Sequence, residues 1–136
     1  MSFDLLANGI KNLLQGLGYS ESTEAVDFAN ASSNEYSNTF ILKSIKGEIA
    51  DDSIVNQLDD RQAWEIQIAF ERSSQNDITN REIAVRSKDI ILTTLDKPAN
   101  WSSFATVIKY KSWELKEFPN YFILSVQLEI IDRLTY

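Results

Sequence analysis

The chain contains no histidine and no cysteine, and only two prolines and four glycines among 136 residues. Without cysteine there are no disulfides and no thiolate metal ligands. Without histidine or cysteine the usual nucleophile–base pairs are gone, leaving only serine–lysine or carboxylate schemes. No glycine-rich nucleophile elbow occurs. Phosphate cradles need closely spaced glycines ahead of a helix, whereas Gly16 and Gly18 follow one. Apolar runs extend to three or four residues at most, too short to span a bilayer. The start, Met1-Ser-Phe-Asp-Leu-Leu, has no basic region or small-residue cleavage site, so a secretory leader is not expected. Synthesis and assembly in the cytoplasm are the expectation.

Positive charge is also scarce. Thirteen Lys and Arg face twenty Asp and Glu, for a net charge of −7. Gripping nucleic acid requires clustered cations that release counterions from phosphates. This chain has the opposite sign and is expected to repel DNA. Its 43% hydrophobic and 24% charged residues otherwise suit one ordinary globular domain, residues 1–136, with a sizeable core.

What the chain does have is periodicity. Trp64, Ile66, Ile68 and Phe70 fall at every second position, as do Phe122, Leu124, Val126, Leu128 and Ile130. A period of two puts each set on one face of a strand. Phe3, Leu6, Ile10, Leu13, Leu14 and Leu17 instead recur at helical spacing, with Ser2 as a cap and Gly16 and Gly18 as the stop. Their stripe reads as a helix covering the sheet or as a partner-docking face. A short strand near Ala25–Ala29, a turn at Ser32-Ser33-Asn34 and a strand Thr39–Lys46 ended by Gly47 follow. Gln62–Glu71 is the next strand.

Thr79-Asn80-Arg81-Glu82 has the form of a capping box, with Ile78 and Ile83 placed as a hydrophobic staple. Ile83, Ala84, Ser87, Ile90, Ile91, Thr94 and Leu95 continue that helix until Pro98 closes it. From Trp101 the chain returns to strand: Ala105–Glu117, a turn at Phe118-Pro-Asn-Tyr121, and the return strand Phe122–Ile131 make an antiparallel hairpin. The fold class is α+β, an antiparallel or mixed sheet packed with two main helices, in the order α-β-β-α-β-β.

Two groups of residues are candidates for function. Glu48, Asp51, Asp52, Asp59 and Asp60 lie in an acidic stretch, 47–60, that contains no basic residue and reads as a long connection with one helical turn at Ile54, Val55 and Leu58. Paired carboxylates can hold calcium or magnesium or act as acid and base. The spacing is not that of an EF-hand, and a solvated loop is the competing reading. Trp113 stands among Lys109, Lys111 and Lys116. It reads as an interface anchor or as a core aromatic whose lysine neighbours snorkel. No catalytic residue, cofactor site or metal site is assigned.

Taken together, the opening helix ending in Gly-Tyr, Val26-Asp-Phe28, Ser32-Ser-Asn-Glu-Tyr36, Thr39-Phe-Ile-Leu42, Trp64-Glu-Ile-Gln-Ile-Ala-Phe70, the capped helix and Phe122-Ile-Leu-Ser-Val-Gln-Leu-Glu129 form a pattern. Over nearly its whole length the chain resembles the tail terminator (tail completion) proteins of long-tailed bacteriophages. No invariant chemical motif is carried over. The resemblance implies a structural, non-enzymatic virion subunit at the head-proximal end of the tail. It would form a ring with copies of itself, a homohexamer, that caps the tail tube protein and docks the head–tail connector or stopper protein. DNA would pass through an acidic lumen without sequence-specific binding, and no membrane would be involved. The acidic stretch 47–60 is placed at that lumen or at an axial face. Other readings are a head-completion or neck stopper protein, a non-viral adaptor that binds a peptide at its sheet edge, and a small carboxylate–metal hydrolase.

Overall fold

A computed structural model describes residues 3–22, 38–50, 57–72, 77–103 and 107–135. The order is α1 (Phe3–Gly16), β1 (Ser20–Glu21), β2 (Thr39–Ala50), β3 (Gln57–Glu71), α2 (Asp77–Leu95), a 3₁₀ turn at Pro98–Asn100, β4 (Val107–Glu117) and β5 (Tyr121–Thr135). The five strands form one mixed sheet in the order β1-β2-β3-β5-β4. Only β1 and β2 run parallel; every other neighbouring pair is antiparallel. The α+β class therefore holds, and the expected element order holds approximately, with β1 in addition.

The alternation sorts each strand. Phe40, Trp64, Ile66, Ile68, Phe70, Phe122, Leu124, Val126, Leu128 and Ile130 are all buried on one face, in a single cluster with Leu6, Ile10 and Leu14 of α1 and Ala84, Ile91 and Leu95 of α2. Both helices thus cover the same side. The register from Gln57↔Thr135 to Glu71↔Tyr121 runs without a break through the central β3–β5 pair. The opposite face is polar at its centre, where Glu65 accepts hydrogen bonds from Gln67 and Gln127. At one end of that face Ala69, Tyr121 and Ile123 are buried in a small second cluster with Ile41 and Phe118.

Helix α1 ends as glycine dictates. Gly18 has φ +101°, Tyr19 N–H donates to Leu14 C=O (3.2 Å) and Gly18 N–H to Gln15 C=O (3.0 Å). This is a Schellman cap around a left-handed residue. Helix α2 differs from expectation at its start. It begins at Asp77, so Thr79 lies within the first turn rather than at the cap. Ile78, 79% exposed, stands inside the helix, where it cannot act as the staple residue ahead of a cap. The buried stripe of α2 is also narrower than expected. Ala84, Ser87, Ile91 and Leu95 face inward, while Ile83 and Ile90 are exposed. At the other end, side chains satisfy the last carbonyls. Asn100 donates to Thr94 C=O (2.9 Å), and the buried indole of Trp101 donates to Leu95 C=O (2.8 Å). Trp101 therefore belongs to a turn; β4 is described from Val107, and the expected start at Ala105 lies outside the described residues.

The strands β2 and β3 are longer than expected. Residues 47–50 and 57–60 continue the ladder through Glu48↔Arg61 and Ala50↔Asp59, so Gly47 does not end β2 and Leu58 lies in a strand. The expected strand at 25–29, the turn at 32–34, and Ile54 and Val55 lie outside the described residues.

Two predictions follow from this core. Trp64→Ala, at a wholly buried site, is expected to cost about 3–5 kcal/mol in urea unfolding; a loss under about 1 kcal/mol would contradict the packing. Burial raises the Tyr19 phenol pKa above its ordinary 10.0, partly offset by a hydrogen bond with Ser87. The neutral form is favoured by folding, so this contribution to stability is intact below pH 10 and is lost as pH rises through the folded pKa. Tyr19→Phe should lose roughly 1 kcal/mol at neutral pH and show a shallower decline above pH 10, measured by unfolding across that range.

Candidate assembly surface

Strand β4 closes one side of the sheet, and its eleven residues are exposed except Ile108, Val107 and Leu115. Its inner edge pairs with β5. Among the described residues nothing pairs with its outer edge. An open edge of this length presents a row of backbone donors and acceptors to any strand that can reach it.

Trp113 and Tyr110 sit on this edge strand, 39% and 44% exposed. Opposite Val126 and Leu128 respectively, they lie on the helix-side face. A bulge between Tyr110 and Ser112 takes up Lys111 and restores neighbouring positions on one face to residues three apart. The cation against Trp113 is none of the three lysines near it in sequence. It is Lys88 of α2, whose Nζ lies 4.7 Å from the ring centroid. Sequence reasoning missed Lys88 because the contact joins segments 25 residues apart. Lower on the strand, Glu117 receives Arg81 of α2, with Arg72 at 3.9 Å. These cations hold α2 along β4 while leaving the aromatic edges in solvent.

On the open face, Lys111 pairs with Glu129 at 3.3 Å. Arg61, Gln127 and these two residues rim a shallow depression of about 410 Å³ floored by Ala63. Its charges are of both signs and already include an ion pair, so it offers no single-sign recess for an anion or a metal.

The acidic candidates fall partly on strands and partly outside the described residues. Asp51 and Asp52 lie outside the described residues. Glu48, Asp59 and Asp60 occupy strand positions rather than a loop. Strand alternation assigns Asp59 and Asp60 to opposite faces. In register, Glu48 is opposite Arg61 and Asp59 opposite Arg133. Asp60 is opposite Asp132. Among the described residues no three acidic side chains are grouped to hold a metal ion. No helix there is long and apolar enough to cross a membrane.

No protein-family model matches the chain, and no curated protein matches it.

The Lys88–Trp113 contact is open to a double-mutant cycle. Lys88→Gln and Trp113→Leu, singly and together, are expected to give a coupling of about 0.5–1 kcal/mol in urea unfolding. Strict additivity of the two changes would contradict the contact.

Proposed function

We propose that this protein is a structural virion subunit, a phage tail terminator that caps the completed tail tube as a homohexameric ring and offers the head connector its docking surface. The observation that carries the reading is the open β4 edge with Tyr110 and Trp113 exposed upon it. A subunit that works by fitting against copies of itself needs such a surface, and aromatic residues are favoured anchors at interface centres. The likeness of the chain to tail terminators over nearly its whole length supports the same reading. So does the net charge of −7, which six copies would multiply into a ring that lets DNA pass without adhering. The task is mechanical rather than enzymatic. The protein would be assembled in the host cytoplasm and retained at the head-proximal end of the tail.

The same open edge also favours an adaptor that accepts a peptide as an added strand. Purified tail tubes separate the two readings. Mixed with tubes, the protein is expected to appear in electron micrographs as a ring on one tube end, with a ring-sized mass after release. A protein that stays monomeric at every concentration and leaves tube ends bare would contradict the terminator reading.

A further inference from the structure

Among the described residues the sheet has a second open edge. β1 covers β2 only at Thr39 and Phe40, with Ser22 N–H donating to Phe40 C=O (2.9 Å). Among the described residues nothing pairs with the outer edge of β2 beyond that point. Because β2, β3, β5 and β4 are successively antiparallel, β2 and β4 run in opposite directions. A second copy generated by rotation about an axis along the strands would therefore bring its β2 edge antiparallel to β4.

Resting on the assembly reading above, we propose that neighbouring copies join by pairing β4 of one with β2 of the next, with Lys109 opposite Glu48 and Glu114 opposite Lys43. The register follows from obstruction and charge. Through the rows of the sheet, Lys109 is level with Lys46, Leu115 with Phe40 and Lys116 with Thr39. Level pairing between copies would set Lys109 against Lys46 and drive the end of β4 into β1. Sliding the partner by two residues preserves the faces of both strands, as alternation requires, takes Lys109 off Lys46 and leaves only Glu117, the last residue of β4, level with the stretch of β2 that β1 covers.

In that register Lys109 meets Glu48 and Glu114 meets Lys43, all at open-face positions. On the helix-side face Tyr110 meets Gly47, Trp113 meets Ser44 and Leu115 meets Leu42. The two exposed aromatics of β4 thus fall opposite two small residues of β2. Lys111 comes level with Lys46, but its charge is already matched by Glu129 on its own sheet at 3.3 Å. Joining two different edges is a heterologous contact, the kind that closes into rings. Pairing of β4 with itself would give only a dimer, and in the register that pairs Lys111 with Glu114 it would set Lys109 against Lys116.

The absence of native cysteine makes the register directly testable in the full chain. The double variant Lys109→Cys/Glu48→Cys, oxidised after assembly on tail tubes, is expected to give a ladder of covalent multimers ending at the ring. The offset variant Lys116→Cys/Glu48→Cys should give none. Charge exchange supplies a second reading: Lys109→Glu alone should weaken assembly about tenfold, and Lys109→Glu/Glu48→Lys should restore it. Tube-end rings that form normally while the matched cysteines stay reduced, or that link only as dimers, would overturn the pairing and leave the terminator reading standing. Absence of any assembly by the unsubstituted protein would overturn both.

Discussion

Removal of one sheet face from water is the constraint on which the rest of this molecule depends. β3 and β5 alternate so regularly that every second residue, from Trp64 to Phe70 and from Phe122 to Ile130, is buried beneath the two helices. A slip of one residue in the β3–β5 register would turn each of those side chains into solvent. The bulges lie only on the flanking strands, after Ser44 in β2 and after Tyr110 in β4, and at the same level of the sheet. The central pair holds the register, and the outer strands absorb the irregularity.

That division of labour separates the packed centre from the edges on which the proposed assembly rests. The centre is committed to packing, and its polar groups are matched by neighbours across the sheet. Among the described residues the periphery keeps open edges: a β4 with two partly exposed aromatics and a β2 covered only at Thr39 and Phe40. Lys88, Arg72 and Arg81 brace α2 and the end of β3 against β4 without covering it. A surface held in place but left open is what assembly between copies requires.

Legibility in the sequence followed the range of the interactions. Helix α1, its stop at Gly18, and the β4–β5 turn through Pro119 were readable because each is dictated by residues a few positions apart. The buried faces of β3 and β5 were readable for the same reason. The extensions of β2 and β3 were not, since Gly47, Asp59 and Asp60 are poor strand formers and their partners across the sheet, Gln62, Arg133 and Asp132, are assigned only by register. β1 is two residues long and carries no pattern. The start of α2 was misread because Thr79 and Glu82 have the right spacing for a box that the helix, beginning at Asp77, does not use. Trp113 was singled out, but its partner Lys88 comes from another element, which no local window reveals.

Hydrogen exchange on β4 in the free and the assembled protein tests the central claim most directly. Slow exchange is expected throughout β3 and β5 in both states. In β4 the outward amides are expected to exchange fast in the free chain and to be protected on assembly. Outward β4 amides that are equally protected in the free chain, or that stay unprotected within the ring, would contradict that claim.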